Sequence, residues 1–426
     1  MLRQALGGRG RFFCCAFGGF WQNRSPYRVG ESVASCACRA NVGYVTQRVR
    51  SISQRLEHKL LQRIDQVPPA EWNALAGTHP FVRHEFLDAL EDGGAVSDYS
   101  GWTPRHLWVT DADAVVAALP LYEKTHSYGE FVFDWAWAEA AERAGISYYP
   151  KWLVASPLTP VTGPRLLGPD REALPGLLTD LSRAQGISSV HVNFVTDADA
   201  RLLRHAGWLE RSDWQYHWYN RDYETFDDFL AQLSHKKRKN IRQERRRLGE
   251  AGWTFERIAG AEATEWHWLF MHGLYRSTFE RKGNWPLLTQ GIFRRLGQQL
   301  ASQVLLVLAK KDDHYRAGAY LMHDGHTLYG RYWGAMEAAP GLHFETCYYQ
   351  GIEHCIEQRL KVFNPGAQGT HKIARGFEPQ ETRSFHLIHH SGLREAVARS
   401  LKVERHAQEQ RGEALRDHSP FRKEQQ

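Results

Sequence analysis

The feature that most constrains the fold is a strand–turn–strand pattern that occurs twice, about 200 residues apart. The first copy spans residues 106–122, where two apolar runs flank the polar residues 111–113. The second copy spans residues 304–322, around the polar residues 310–314. Because such hairpins are the units of antiparallel sheets, the recurrence predicts an α/β fold with two related domains in tandem. Each domain is expected to hold a mixed, largely antiparallel sheet flanked by helices.

The length of the chain agrees with more than one domain, since 426 residues exceed an ordinary single core. The predicted domains cover residues 60–220 and 221–400. Beyond residue 400 the chain is charged and weakly apolar, which predicts a tail, 401–426, that is either a loose helix or disordered.

Residues 1–58 differ in composition from the rest, with nine Arg, no Lys and two acids, a net charge of +7. With a total of +6, the remaining residues sum to about −1, which argues against a globally basic nucleic-acid binder. The segment is predicted to be disordered. It is either an organellar transit peptide or an over-extended start, and both interpretations stay open.

The remaining composition indicates a cytoplasmic protein, or an organellar one if residues 1–58 are a transit peptide. No run of 18 apolar residues occurs, so no transmembrane segment is predicted. Four of the six Cys lie in the first 58 residues, and the rest of the chain is expected to be reduced. No metal site is predicted, because Cys36 and Cys38 lack the spacing of zinc ligands.

A strongly basic segment at 234–247 holds eight Lys or Arg and one Glu. Such a density attracts phosphate groups of a nucleotide, an RNA or a lipid. The alternative is a solvated helix whose aliphatic stems cover the protein body. The residues predicted to bind phosphate are Lys236, Lys237, Lys239, Asn240 and Arg242.

Acidic and aromatic residues alternate at 127–137, which predicts a strand or its edge. Glu130 and Asp134 would then face the same side. Together with Tyr128 they suit a polar organic substrate such as a sugar or an amine. Ordinary aromatic packing at a domain interface explains the pattern equally well.

Polar and aromatic residues crowd the ends of a predicted strand, helix and strand within 331–377, where binding groups are usually placed. The helix is expected to begin after Gly341, and its N-terminus favours anions. His343, His371 and Glu345 are candidates for proton transfer. Lys372 and Arg375 are candidates for stabilising an oxyanion or a phosphate. No Gly-x-Ser-x-Gly, Walker or His-Glu-x-x-His motif occurs, which argues against common hydrolases, P-loop enzymes and zincins.

Several stretches resemble a family of predicted N-acyltransferases known as peptidoglycan biosynthesis/recognition proteins, which is placed with the Fem aminoacyl transferases in the GNAT acetyltransferase superfamily. The resemblance covers residues 60–390 and implies two GNAT-like domains in tandem. The matching stretches are 101–107, 124–130, 159–166, 239–242, 330–334 and 366–372.

The resemblance also implies the substrates. Fem enzymes move an aminoacyl group from tRNA to an amine of a peptidoglycan precursor, whereas ordinary GNAT enzymes use acyl-CoA. Residues 331–334 match the first half of the GNAT phosphate loop, and Met336 replaces its final small residue. The basic segment and residues 372–377 are similar to two Fem motifs, although the second has two extra residues between Lys372 and Gly376. Aminoacyl-tRNA or acyl-CoA is thus the expected co-substrate, with no tightly bound cofactor.

The predicted activity is an amide-forming acyl transfer to an amine, possible acceptors including a cell-wall precursor, without a covalent enzyme intermediate. Lys372 and Arg375 would stabilise charge, and His371 or Glu345 would take the proton. Arg331 and Trp333 would contact substrate. The rival prediction is a non-catalytic protein that binds RNA or a glycan precursor on the same fold.

Overall fold

The computed structural model describes residues 56–367 and 369–422. The predicted disordered segment therefore lies outside the described residues, except for 56–58, of which Glu57 and His58 begin a strand. The strands are β1 (Glu57–Leu61), β2 (Trp102–Pro104), β3 (His106–Asp111), β4 (Ala114–Leu119), β5 (Leu121–Lys124), β6 (Lys151–Val154), β7 (Ser189–Val192), β8 (Leu209–Tyr219), β9 (Trp253–Ala259), β10 (Val304–Lys311), β11 (His314–His323), β12 (Thr327–Ala335), β13 (Val362–Asn364) and β14 (Glu378–Ile388).

Helices flank these strands on both sides of the sheet. One of them, α10, combines a helical turn (Leu342–Phe344), a π-helical turn (Glu345–Tyr349) and an α-helical part (Gln350–Glu357). The other helices are α1 (Pro69–Ala76), α2 (His84–Asp92), α3 (Trp135–Arg143), α4 (Leu174–Ala184), α5 (Asp197–His205), α6 (Phe226–Gln232), α7 (His235–Glu250), α8 (Glu265–Arg281), α9 (Gln290–Gln299) and α11 (Ser391–Asp417). Short 3-10 turns lie at Ile64–Gln66, Pro80–Val82, Asp98–Ser100, Arg171–Ala173, Ala301–Gln303 and Thr370–Arg375.

Eleven of the described strands form one continuous sheet in the order β2-β5-β6-β7-β14-β8-β13-β12-β11-β10-β9. Neighbours are antiparallel except for two parallel pairs, β6 with β7 and β12 with β13. Each half of the chain thus contributes an antiparallel array that ends in one parallel pair. This arrangement confirms the expected mixed, largely antiparallel α/β fold.

The last strands of the two halves lie side by side in the middle of this sheet. β14, from the C-terminal half, pairs with β7 and with β8. β8, which closes the N-terminal half, also pairs with β13. The predicted boundary at residue 220 directly follows β8, and the domain limits themselves stay a prediction. Because β14 lies between β7 and β8, the two halves exchange their last strands. This exchange places β8 of the N-terminal half next to β13 of the C-terminal half.

Both predicted hairpins are present, as β3–β4 and β10–β11. The expectation of one strand over 115–122 was wrong, because Pro120 separates β4 from β5. β4 belongs to a small sheet with β1 and β3, whereas β5 belongs to the large sheet. Proline has no N–H to donate to a ladder, so a strand breaks readily there.

The expectation of a strand over 127–137 was also wrong. Residues 127–133 form turns and irregular backbone, and α3 begins at Trp135. Phe131 has a φ of +59°, a value that an extended strand does not contain. Glu130 and Asp134 therefore do not share a strand face, and their actual positions are set by Lys151, as described below.

The C-terminal segment is helical up to Asp417, so the helical alternative holds for residues 401–417. Leu393, Val397 and Leu401 are buried at a spacing of four residues, which presents one apolar stripe to the protein. α11 thus crosses the predicted boundary at residue 400 without a break.

Candidate active site

The two parallel strands of the C-terminal half pair over only three residues. Thr327–Tyr329 of β12 matches Val362–Asn364, whereas β12 continues to Ala335. A side chain at Gly330 would meet the backbone of Pro365 at 3.1 Å, so the chain leaving β13 passes close to β12 at this glycine. The carboxyl end of a parallel pair is a common place for ligands in α/β folds. The candidate site is built around this end.

Lys372 is the central group of the site. It lies in the 3-10 turn Thr370–Arg375, which follows Gly369 with a φ of +116°. Its side chain is buried, with the residue 2% exposed, and Nζ donates a hydrogen bond to the Gly366 carbonyl at 2.6 Å. Burial lowers the pKa of Lys372 to about 7, although the nearby Cys347 acts in the opposite direction. The amine can therefore exist in both protonation states near neutral pH.

Five aromatic rings pack together beside Lys372. The His343 centroid lies 5.0 Å from that of Trp333 and 5.1 Å from that of Tyr348. Phe344 lies 5.7 Å from His371, and the Tyr348 hydroxyl and His371 Nε2 are hydrogen-bonded at 3.0 Å. The π-helical turn of α10 contributes Tyr348, and such turns are frequent at functional sites.

Both site histidines are neutral at neutral pH. Burial lowers the pKa of His343 to about 3, and the neighbouring His371, Lys372 and Arg375 act in the same direction. Burial, together with the charges of Lys372 and Arg375, also lowers the pKa of His371 to about 4. A neutral imidazole can accept a proton, which is the form that a general base needs.

Arg375 is held in a fixed position by three contacts. Its guanidinium donates to Glu244 at 2.9 Å and to the His371 carbonyl at 3.0 Å. The guanidinium carbon also lies 3.3 Å from the centroid of the Phe344 ring. Glu244 belongs to α7 and also accepts a hydrogen bond from the Tyr349 hydroxyl, so α7 supports the site directly.

Glu345 points toward α7. Both of its carboxylate oxygens accept hydrogen bonds from Arg245, at 2.9 and 3.0 Å, and Gln350 donates to the same carboxylate at 2.8 Å. Burial raises the pKa of Glu345, whereas the Arg245 charge opposes this rise. The bidentate pair joins α7 to α10, and the role of Glu345 as a base stays a prediction.

The predicted phosphate-binding residues lie in the first turns of α7. Lys236, Lys239, Asn240 and Arg242 are exposed and Lys237 is partly exposed, while Ile241 is buried beneath them. Arg242 is paired with Asp227 at 2.7 Å. Among the described residues, the three lysines have no carboxylate partner, which leaves their charges available at the surface.

Arg331 and Trp333 lie on β12 but have different neighbours. Trp333 packs against His343 within the ring cluster. The Arg331 guanidinium donates to the Leu158 carbonyl at 2.8 Å and to the Thr159 hydroxyl at 3.2 Å. Arg331 thus connects β12 to a loop of the N-terminal half, and its contact with substrate stays a prediction.

Glu130 and Asp134 lie elsewhere, at the ends of β5 and β6, where both bind Lys151. Lys151 Nζ donates to Glu130 at 2.8 Å and also to Asp134, and the Tyr148 hydroxyl donates to Asp134 at 2.7 Å. Burial raises the pKa of Glu130 to about 7, whereas the Lys151 charge overcomes burial and lowers that of Asp134. All three charged groups are buried, so the carboxylates do not line an open cleft.

His217 is a site residue that the sequence did not reveal. It lies on β8, is buried, and its Nε2 has no hydrogen-bond partner among the described residues. Its strand partner is Glu378, at the start of the strand that follows the turn holding Lys372. Burial and the Lys372 charge lower the pKa of His217 to about 3. The sequence of the aromatic run 214–219 does not indicate that His217 lies near Lys372, because this closeness depends on the pairing of β8 with β14.

Within residues 56–367 and 369–422, no group of three or more His, Cys, Asp or Glu is arranged to hold a metal ion. In the same part of the chain, no helix has both the length and the apolar character needed to cross a membrane.

The solved structures to which the chain is similar are distant from it in sequence. The crystal structure of FemX is 14% identical, with a TM-score of 0.50 over 78% of this chain and 98% of FemX. L-PGS from Bacillus licheniformis is 10% identical, with a TM-score of 0.44 over 72% of this chain and 91% of L-PGS. A tandem GNAT protein from the clavulanic acid biosynthesis pathway is 12% identical, with a TM-score of 0.40 over 78% and 98%. The FemX likeness shows the fold. No curated protein matches the sequence.

The model of one protein family matches residues 63–423, which include both halves of the large sheet. This family is FemAB-like, described as peptidoglycan biosynthesis/recognition. The match confirms the resemblance found in the sequence and the Fem-like acyltransferase class that it implied. The chain belongs to the FemAB-like family of peptidoglycan biosynthesis/recognition proteins.

Proposed function

We propose that the protein forms an amide by transferring an activated acyl or aminoacyl group to an amine. The observation that carries this proposal is Lys372, a buried amine held by one backbone carbonyl at the end of β13, beside neutral histidines. A cation in a water-poor site stabilises a developing oxyanion strongly. The acceptor we favour is an amine of a cell-wall precursor, in keeping with the family.

The proposed reaction is a direct displacement. The neutral acceptor amine attacks the carbonyl carbon of the donor, and the C–N bond forms while the carbonyl oxygen becomes negative. Protonated Lys372 stabilises that oxygen, and His371 takes the proton from the attacking nitrogen. When the tetrahedral intermediate collapses, the bond to the donor oxygen or sulfur breaks, and the leaving atom takes the proton from His371, which becomes neutral again.

The aminoacyl-tRNA donor is preferred over acyl-CoA for two reasons. The exposed lysines of α7 provide a surface for an RNA backbone, and α7 contacts the site through Glu244 and Arg245. Met336 also interrupts the pattern of the CoA phosphate loop. Neither donor requires a tightly bound cofactor in this proposal.

The pH dependence of kcat/KM follows from the two pKa values in the free protein. His371 must be neutral, and with a pKa of about 4 it loses this form below that pH. Lys372 must be protonated, and with a pKa of about 7 it loses its charge as the pH rises through that value. After correction for the neutral fraction of the acceptor amine, we therefore expect kcat/KM to be highest between these values and to fall above about pH 7. A rise of the corrected kcat/KM through this range would show that neutral Lys372 is the working form.

The phosphate-binding role of α7 predicts a change in RNA affinity. The double variant Lys236→Ala/Lys239→Ala should bind tRNA more weakly, with a salt slope of log K smaller by about 1.5 to 2 units. The matched control is Lys402→Ala/Arg405→Ala, which removes two exposed cations from α11. Filter binding over a range of salt concentrations measures the tRNA affinity and its salt slope for both variants. Equal losses of tRNA affinity in the two variants would assign the effect to net charge alone.

Native mass spectrometry of the full-length protein tests the choice of substrates. The protein would be mixed in turn with aminoacyl-tRNA, acetyl-CoA and a uridine-diphosphate-linked muramoyl pentapeptide, and the complexes weighed. We expect complexes with aminoacyl-tRNA and with the pentapeptide precursor. A complex with acetyl-CoA alone would contradict the preferred donor.

The alternative function is a non-catalytic protein that binds RNA or a glycan precursor. The exposed lysines of α7, which have no carboxylate partner among the described residues, favour it as well. Binding of tRNA without any acyl transfer, and with no effect of acylation on affinity, would support this alternative.

A further inference from the structure

A row of exposed aromatic rings lies on the N-terminal half, after β5. We call His126, Tyr128 and Trp135 the aromatic platform. Tyr128 and Trp135 are 48% and 40% exposed, and Phe133, two positions before Trp135, is 41% exposed. The Tyr128 ring lies 5.1 Å from that of His126 and 4.8 Å from that of Trp135. Exposed apolar groups that cluster in this way mark interaction sites more often than isolated ones do.

The platform itself carries no charge, and Arg211, which donates to the Phe133 carbonyl beside it, is paired with Glu404. Glu130 and Asp134 are the only acids of residues 125–136, which contain no Lys or Arg, and both acids are buried against Lys151. Burial and the nearby Lys124 lower the pKa of His126 to about 4, so its ring is neutral at neutral pH. This loop buries its charges and exposes its rings, the reverse of the usual arrangement. The neutral surface complements an uncharged ligand.

The rings are held from beneath. Lys124 is buried and donates to the Gly101 carbonyl at 2.9 Å and to the Tyr128 carbonyl at 3.4 Å. Ser127 is hydrogen-bonded to the Tyr149 hydroxyl at 2.8 Å and accepts from Lys151 at 2.7 Å. A surface fixed in this way loses little conformational entropy when it binds.

We propose that the aromatic platform binds an uncharged pyranose oligosaccharide. The C–H faces of sugar rings pack on aromatic faces, while the Tyr128 hydroxyl and the Trp135 indole N–H can reach sugar hydroxyls. The rings are only half exposed and therefore offer faces for stacking rather than protruding groups for insertion into a bilayer. The exposed charges of α3, Glu139, Glu142 and Arg143, sum to −1, which gives no attraction to an anionic membrane surface.

The position of the platform indicates an extended ligand. Five strand spacings separate β5 from β13 across the sheet, which corresponds to roughly 24 Å. The register adds a displacement along the strands, because Lys124 lies about level with the start of β8, whereas His217, beside Lys372, lies near the end of β8. One ligand that reaches both the platform and Lys372 must therefore contain several units. This last step rests on the proposed function: the platform would hold the glycan part of the acceptor while its amine lies at the transfer site.

Fluorescence titration of the full-length protein with chitotetraose and cellotetraose, two uncharged oligosaccharides, tests the proposal. We expect a saturable change in tryptophan emission that is unaffected by salt. Trp135→Ala should weaken binding about tenfold, whereas Trp135→Phe should keep most of the affinity. The matched control is Trp266→Ala, since Trp266 is 48% exposed but stacks on Phe270 of α8. Thermal unfolding confirms that each variant is folded.

The outcomes separate this proposal from the proposed function. Sugar binding by Lys372→Met at wild-type strength would support the platform even if no acyl transfer is found. The proposal would be overturned if neither oligosaccharide binds saturably. It would also be overturned if Trp135→Ala and Trp266→Ala lose equal amounts of oligosaccharide affinity. Sedimentation with neutral phosphatidylcholine vesicles that depends on Trp135, without sugar binding, would overturn it in favour of a membrane surface.

Discussion

Replacing Lys151 with Met is expected to destabilise the protein by about 3–5 kcal/mol, because it leaves two buried carboxylates without their cation. Lys151 is fully buried and binds Glu130, Asp134 and Ser127 through one ammonium group. Because Met keeps most of the side-chain volume, the loss of stability is due to the missing charge rather than to a cavity. Denaturant unfolding measures the change in the free energy of unfolding.

The matched controls isolate the buried network. Arg143→Met breaks an exposed pair with Glu139 on α3 and should cost less than about 0.5 kcal/mol. Adding Glu130→Gln and Asp134→Asn to Lys151→Met should restore part of the stability, since no unpaired charge then remains. If Lys151→Met unfolds at the wild-type denaturant concentration, the three groups are not coupled in the way described.

Replacing Lys372 with Met is expected to lower kcat by about 10²–10³-fold, the usual cost of losing one oxyanion-stabilising group. The ammonium group is removed while the buried aliphatic volume is kept, so the fold and donor binding should persist. Turnover at saturating donor and acceptor measures kcat, and native mass spectrometry measures whether the substrates still bind.

Lys361→Met provides the comparison for this effect. Lys361 directly precedes β13, at the end away from Lys372, and its ammonium group binds Asp222 at the surface. This variant should keep the wild-type kcat. A Lys372→Met protein with unchanged kcat would remove Lys372 from the mechanism, whatever its effect on stability.

The parts of the fold that depend on local pattern could be predicted from the sequence. The two hairpins are formed by neighbouring residues, and both are present, β3–β4 in the small sheet and β10–β11 in the large one. The start of α10 after Gly341 also follows from a local signal, the glycine itself. The φ of +86° at this position is one that favours glycine. The grouping of His343, His371, Lys372 and Arg375 followed because these residues lie within 33 positions of one another.

Contacts between distant segments could not be predicted. The exchange of β8 and β14 joins residues more than 150 positions apart, and it alone brings His217 toward Lys372. Alternation suggested that Glu130 and Asp134 share a strand face, but a buried lysine at position 151 draws both inward instead. The cation that binds a buried acid is set by tertiary packing, which periodicity does not report.

The most direct test of direct acyl transfer is to follow a labelled acyl group. The full-length protein would be incubated with tRNA carrying an isotopically labelled amino acid and with the muramoyl pentapeptide precursor, and both products and protein would be analysed by mass spectrometry. We expect label in a new amide of the precursor, none bound covalently to the protein, and little product with Lys372→Met. Label retained on the protein, or label-free precursor after both substrates have bound, would contradict it.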